Sequence, residues 1–125
     1  MLVEDNAGDV RLMVELLNAS GLNHHLSVVS DGMSAIAFVR KLEAYTNAVP
    51  PDLMLLDLDL PLKNGLEILE EIKADDKLNH LPILVLSGME GISADKVRLA
   101  DSFVNKPSNL SEFSQVIKAI HQLGF

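Results

Sequence analysis

Two uninterrupted apolar runs restrict the folds open to this chain more than any other feature. They are Leu-Met-Leu-Leu at residues 53–56 and Ile-Leu-Val-Leu at residues 83–86. A strand with one face in water alternates apolar and polar residues, whereas a strand covered on both faces is apolar throughout. We therefore expect both runs to be central strands of a parallel sheet that carries helices on each side.

Segments with helical spacing alternate with strand-like segments along the whole chain. In the first of them Val10, Met13, Val14 and Leu17 recur at helical spacing, and Gly21 follows where a helix C-cap belongs. Near the end, an Asn and a Glu at residues 109 and 112 have the spacing of a capping box. The alternation predicts an α/β fold, a doubly wound five-stranded parallel sheet with right-handed crossovers and five helices. The predicted strands are a short one before residue 4 and residues 24–30, 53–56, 83–86 and 102–105. The predicted helices cover residues 10–17, 34–45, 66–72, 94–99 and 110–120.

Length and composition limit the class of protein. A chain of 125 residues is the size of one domain, which we expect to span residues 1–125. Its 18 acidic and 10 basic side chains give a net charge of −8, which disfavours binding to nucleic acid and to anionic lipid. Without cysteine there is no disulfide or thiolate metal site. The sequence has neither a membrane-spanning apolar run nor a signal peptide pattern, so we expect a cytoplasmic domain.

Polar side chains close four of the apolar runs. Glu4 and Asp5 follow the first run, Asp57 the third, Ser87 the fourth and Lys106 the fifth. In a doubly wound sheet the carboxyl ends of the strands lie at one edge, where ligands bind. We therefore expect three acids, a hydroxyl and an ammonium group to converge on one site.

Such a set of groups suits phosphoryl transfer. Clustered carboxylates are costly without a cation, and all-oxygen ligands favour Mg²⁺ or Mn²⁺. A carboxylate beside the ion can act as a nucleophile toward phosphorus, while ammonium and hydroxyl groups stabilise the phosphoryl oxygens. Taken singly, Asp57 could merely cap a turn, and Glu4-Asp5 could be the N-cap of the first helix. The convergence favours the phosphoryl site over these alternatives.

The motifs also resemble a known family. Glu4-Asp5, Asp57 with Pro61 and Gly65, Leu86-Ser87-Gly88 and Lys106-Pro107 resemble the CheY-like response-regulator receiver domains, in the family's order and across essentially the whole chain. The resemblance implies a flavodoxin-like sheet with strand order 2-1-3-4-5 and a phosphoacceptor in two-component (phosphorelay) signalling. It implies no enzyme activity beyond Mg²⁺-dependent self-phosphorylation from a phosphodonor and autodephosphorylation. Residues 55–65 and 102–110 are most similar to single-domain regulators partnered with phytochrome-type histidine kinases.

The resemblance also implies a role for each site residue. Phosphorylation would shift the population between two packings of the surface around the predicted fourth helix and fifth strand. The implied partners are a cognate histidine kinase and a downstream protein, with a homodimer as an open alternative. The implied roles are phosphoacceptor for Asp57, metal ligands for Glu4, Asp5, Asp57 and the backbone carbonyl of Asp59, phosphate contacts for Ser87 and Lys106, an aromatic switch for Phe103, tuning of dephosphorylation for Asp59 and Met89, and a cis peptide bond before Pro107.

Some features depart from the family pattern. The chain starts only three residues before Glu4, which suggests a shortened first strand, and the interval from Ser87 to Lys106 is short, which predicts a reduced fourth helix. Phe103 stands where the family usually has tyrosine, so no phenol hydroxyl can join the switch. Simple packing is an equally weighted alternative for this side chain.

Two rival functions stay open at this level. Asp57-Leu58-Asp59 has the Asp-x-Asp form of haloacid-dehalogenase-type phosphohydrolases, although that motif normally ends the first strand and the chain has no room for a cap domain. The second rival is a degenerate receiver that binds partners without phosphorylation. Nucleotide binding is disfavoured, because neither glycine-rich phosphate-loop motif is present.

Overall fold

The computed structural model describes residues 1–58, 60, 64–87 and 98–125. Their strands form one parallel sheet, as the sequence pattern predicted, in the order β2-β1-β3-β4-β5 that the family resemblance implied. In these residues no helix is both long and apolar enough to cross a membrane. The elements are β1 (Leu2–Val3), α1 (Ala7–Ala19), β2 (Val28–Val29), α2 (Gly32–Val39), a 3₁₀ helix (Glu43–Tyr45), β3 (Met54–Asp57), α3 (Gly65–Ala74), β4 (Ile83–Ser87), β5 (Ser102–Asn105) and α4 (Leu110–Gln122).

Each side of the sheet has its own hydrophobic core. Successive residues of a strand point to opposite faces, so β3 and β4 contribute side chains to both cores. Leu55 and Leu84 pack on the side of α1 and α4, whereas Leu56 and Val85 pack on the side of α2 and α3. All four strand residues are buried, as expected of continuous apolar runs. Full burial of one such side chain stabilises the fold by roughly 1.5–3 kcal/mol.

Capping side chains fix where the helices begin. Asn6, Asp31, Asn64 and Asn109 are the N-caps of α1, α2, α3 and α4. Each accepts a hydrogen bond from the backbone N–H three residues later, at 2.7–3.0 Å. A cap of this kind contributes about 1 kcal/mol. The caps therefore fix the start of each of these four α-helices close to the carboxyl edge of the sheet.

Two predicted elements are shorter than expected. The second strand was predicted over residues 24–30 but comprises only Val28–Val29, because it lies at the sheet edge and pairs with a two-residue β1. The second helix was predicted over residues 34–45 but ends at Val39. Lys41 and Glu43 have φ values of 58° and 54°, a left-handed conformation that cannot continue a right-handed helix.

The predicted number of helices also needs correction. The described residues contain four α-helices rather than five. The additional helix was predicted over residues 94–99, of which 94–97 lie outside the described residues, while Arg98 and Leu99 form a turn. The predicted C-terminal helix, with its Asn109 cap, is confirmed as α4.

Candidate functional site

Three carboxylates meet at the carboxyl edge of the sheet. Glu4 and Asp5 follow β1, and Asp57 ends the neighbouring β3. One oxygen from each carboxylate lies within 4.8 Å of the other two. Glu4 and Asp57 are buried, with exposed fractions of 3% and 4%, whereas Asp5 is exposed. The parallel pairing of β1 with β3 thus brings together acids that are 52 or more positions apart in the sequence.

Lys106 provides a positive charge for this cluster. It follows β5, and its Nζ lies 2.6 Å from Glu4 Oε1, 3.1 Å from Asp57 Oδ2 and 3.1 Å from Asp9 Oδ2. An ammonium group carries three N–H donors, so these three oxygens match its full donor capacity. The structure therefore joins Lys106 to Asp57, as the sequence predicted.

The close contacts shift the pKa values of two groups. Burial is the largest cause that raises the pKa of Glu4, the neighbouring Asp57 carboxylate also raises it, Lys106 opposes the rise, and the net pKa is about 7. Burial by itself would lower the pKa of Lys106, but hydrogen bonds to Glu4, Asp9 and Asp57 outweigh it and the net pKa is raised. In the protein without metal, Glu4 therefore titrates near neutral pH while Lys106 stays charged.

Glu4 is held by the backbone that follows it. Its Oε2 accepts hydrogen bonds from the backbone N–H groups of Asp5 at 3.0 Å and Asn6 at 3.3 Å. The alternative that Glu4-Asp5 caps the first helix is wrong, because Asn6 is the N-cap and its Oδ1 accepts from the backbone N–H of Asp9. The side chains of Glu4 and Asp5 are thus available to the cluster.

Gly65 lets α3 begin directly against the end of β3. Its backbone N–H donates to the carbonyl of Leu58 at 3.0 Å. A Cβ on Gly65 would lie 2.5 Å from the carbonyl oxygen of Asp57 and 2.5 Å from Leu58 Cα. Both neighbours are backbone atoms that cannot rotate away. The glycine in the sequence motif is therefore required by a close approach to the strand that carries Asp57.

Ser87 and Phe103 lie on the two strands beyond β3. Ser87 ends β4 and is buried, and its carbonyl accepts from the backbone N–H of Lys106 at 3.2 Å. Phe103 lies on β5 and is 41% exposed, so it is not a core residue. Asp59 and Met89 lie outside the described residues.

The predicted cis peptide bond before Pro107 is wrong. The bond between Lys106 and Pro107 is trans, as are all the peptide bonds of the described residues. The trans isomer is favoured by about 0.5–1 kcal/mol even before proline. Lys106 reaches all three of its carboxylate partners with this trans bond.

Asp9 is a site residue that the sequence analysis missed. It lies in the first turn of α1, and its side chain is 44% exposed. The strand-end criterion could not find it, because Asp9 is on a helix rather than at the end of a strand. The sequence feature that could have identified Asp9 is its position three residues after the capping Asn6. That position places Asp9 in the first turn of α1, next to the carboxyl edge of the sheet.

The donor set fits a hard divalent cation. Mg²⁺ and Mn²⁺ prefer oxygen ligands, and three carboxylates with mutually close oxygens provide them. Glu4 and Asp57 are buried and carry like charges, and the raised pKa of Glu4 reflects this repulsion in part. A bound cation would relieve it.

Comparison with known proteins agrees with this geometry. Residues 1–118 match the response regulator receiver domain family. Response regulator Rcp1 of Synechocystis sp. is 35% identical over 123 residues, which make up 96% of this chain and 84% of Rcp1.

Two solved structures are similar to the chain over nearly its full length. The phosphorylated cyanobacterial phytochrome response regulator RcpA has a TM-score of 0.80 at 42% identity, covering 98% of this chain and 89% of its own. The Mn²⁺-bound form of Rcp1 has a TM-score of 0.81 at 35% identity, covering 97% of this chain and 89% of its own. The chain therefore belongs to the response regulator receiver domain family, the phosphoacceptors of two-component signal transduction.

Proposed function

We propose that Asp57 accepts a phosphoryl group from a histidine kinase and that the modification switches the binding of a partner protein. The observation that carries this proposal is the environment of Asp57. Its carboxylate is 4% exposed, lies 3.1 Å from Lys106 Nζ and belongs to a cluster of three acids at the ligand-binding edge of the sheet. A buried carboxylate with a cation beside it is positioned to act as a nucleophile.

In the reaction, a carboxylate oxygen of Asp57 attacks the phosphorus of a phosphohistidine. The new bond joins this oxygen to phosphorus, while the bond between phosphorus and the imidazole nitrogen breaks and the imidazole keeps the electron pair. Asp57 loses no proton, because its carboxylate is the reacting form. Lys106 donates to a phosphoryl oxygen, and the hydroxyl of Ser87 donates to another.

Glu4, Asp5 and Asp57 would hold Mg²⁺ or Mn²⁺ together with the backbone carbonyl of Asp59. When bound, the cation supplies positive charge against the phosphoryl oxygens and the clustered carboxylates. The support for this ligand set is the mutual proximity of the three carboxylates. The Mn²⁺-bound form of Rcp1 is a related protein with such an ion.

Phe103 would act as the switch residue. Its ring is 41% exposed on β5, two strands from Asp57, and Ser87 on β4 lies between them. Movement of Ser87 toward the phosphoryl group would open space behind it for the ring. Couplings of this kind are typically about 1–3 kcal/mol. The proposed consequence is a change in the surface that a partner protein, or a second copy of the chain, recognises.

The proposed kinase is of the phytochrome type and the proposed location is the cytoplasm. The similarity to RcpA, a phytochrome response regulator, supports the first assignment. Self-phosphorylation from a small phosphodonor and autodephosphorylation are the reactions that we assign to the chain itself. Asp59 and Met89 would tune the second reaction, and an Asp59→Asn variant with an unchanged phosphate half-life would contradict the role of Asp59.

Intact mass after incubation with Mg²⁺ and acetyl phosphate tests the phosphoacceptor. We expect the wild type to gain one phosphoryl group and Asp57→Asn to gain none. Asp52→Asn is a matched control, because it removes the same charge from an exposed acid just before the same strand. A wild type that gains nothing would reject the proposal, and a gain that survives in Asp57→Asn would place the phosphoryl group elsewhere.

A further inference from the structure

Asp9 contacts the site without being one of its clustered carboxylates. Its Oδ2 lies 3.1 Å from Lys106 Nζ, yet the cluster of potential metal ligands in the described residues consists of Glu4, Asp5 and Asp57. The backbone N–H of Asp9 donates to the capping side chain of Asn6 at 3.0 Å, which fixes the first turn of α1. Asp9 therefore presents its carboxylate to Lys106 from a capped helix start.

The donors of Lys106 are fully used in this arrangement. Its three N–H groups face one oxygen each of Glu4, Asp57 and Asp9. A phosphoryl oxygen on Asp57 can therefore receive a hydrogen bond from Lys106 only if one of these three contacts is released. Among the three partners, Asp9 is the one that competes for Lys106 from outside the carboxylate cluster.

We propose that Asp9 is a positioning residue that holds Lys106 in the unphosphorylated protein and competes with the phosphoryl group for it. This inference rests on the proposed function of Asp57. Asp9 therefore slows the phosphorylation of Asp57, because its negative charge both occupies the ammonium group of Lys106 and repels an incoming anion.

The distances set the size of the effect. Asp9 Oδ2 and Asp57 Oδ2 each lie 3.1 Å from the same nitrogen, so they are at most about 6 Å apart. A unit charge at that distance changes the equilibrium for adding another unit charge by about 3-fold in a fully aqueous medium, and by about 10-fold if the effective dielectric constant is halved. Because Asp9 is 44% exposed, the effect should fall in this range and weaken with added salt.

The test measures the initial rate of phosphorylation by acetyl phosphate, with Mg²⁺ in excess, over a range of donor concentrations. In each turnover the bond between phosphorus and the acetate oxygen breaks, acetate leaves, and the bond from Asp57 to phosphorus forms. We expect Asp9→Asn to lower the KM for acetyl phosphate about 3- to 10-fold with a smaller change in kcat. Asp9→Ser, a second neutral variant, should do the same, and Asp9→Glu, which keeps the charge, should behave as the wild type.

Glu15→Gln is the matched control, because it removes an equal charge from an exposed position on α1 that contacts Arg11 instead of the site. The metal-free protein gives a separate readout. In ¹⁵N spectra of the lysine side chains, Asp9→Asn should shift the Lys106 signal and Glu15→Gln should leave it in place.

The outcomes separate the two proposals. If the wild type is phosphorylated but Asp9→Asn keeps the wild-type KM within two-fold, the role of Asp9 is refuted and that of Asp57 stands. A KM for Asp9→Glu that matches Asp9→Asn would also refute it, because charge would not be the cause. If the wild type itself takes no phosphoryl group, the proposed function fails and the inference fails with it.

Discussion

Glu4 should make the metal-free protein less stable as the pH rises through neutrality. Its pKa is about 7 in the folded protein and 4.5 as the ordinary value. Between these two values the folded state binds more protons than the unfolded state, so the free energy of unfolding falls with increasing pH. The stabilisation of the folded state by protonation of Glu4 is fully present below about pH 4.5, and it is lost as the pH rises through about 7.

The magnitude follows from the size of the shift. Integration of the linkage relation between pH 5 and pH 8 gives a loss of about 2–3 kcal/mol from Glu4 alone. Glu4→Gln keeps the volume of the side chain and leaves an oxygen that can accept from the backbone N–H groups of Asp5 and Asn6. It also removes the ionisation, so the variant should lack this loss.

Urea unfolding of the wild type and Glu4→Gln in EDTA, at pH 5 and at pH 8, measures the difference. We expect the variant to gain about 2–3 kcal/mol relative to the wild type between the two pH values. Glu15→Gln is a control, because Glu15 is an exposed acid on α1 that pairs with Arg11 rather than with the carboxylate cluster. If the free energy of unfolding differs between the wild type and Glu4→Gln by the same amount at both pH values, the reasoning is refuted.

Further outcomes follow from packing and from the donor set. Gly65→Ala should cost about 3 kcal/mol in urea unfolding and slow phosphorylation, because its Cβ would meet backbone atoms at 2.5 Å. Phe113→Ala should cost about 3–5 kcal/mol because the ring is 1% exposed. Phe103→Ala should change the free energy of unfolding by less than about 1 kcal/mol while weakening the effect of phosphorylation on partner binding, as binding assays would show. Mg²⁺ at 100 times its Kd should stabilise the wild type by about 2.7 kcal/mol, and Asp5→Asn should need more Mg²⁺ for the same gain in thermal denaturation.

The sequence predicted the central part of the fold well. Apart from the half-buried Leu53, the runs at residues 53–56 and 83–86 are buried in β3 and β4, which lie within one residue of the expected bounds. Because every residue of these runs is apolar, their burial could be predicted from the local sequence without knowledge of tertiary contacts. The edge strand β2 was overextended because its length depends on how far β1 pairs with it. The length of the pairing depends on tertiary contacts and is absent from the local pattern.

The site was predictable to the extent that it lies at strand ends. Glu4, Asp57 and Lys106 meet because parallel strands place their carboxyl ends at one edge. Asp9 reaches the same ammonium from a helix, and the direction of that helix is set by packing on the sheet. The isomer of the bond before Pro107 was assigned by resemblance and is wrong, since the local sequence permits either form.

The two hydrophobic cores on opposite sides of the sheet contribute to the free energy of unfolding independently of each other. Ile68 belongs to the core under α2 and α3, and Val116 to the core under α1 and α4. Because the β-sheet separates them, the costs of Ile68→Val and Val116→Ala should add to within about 0.5 kcal/mol in the double variant. The helices on one side can therefore diverge, and acquire a new recognition surface, without forcing compensation on the other side.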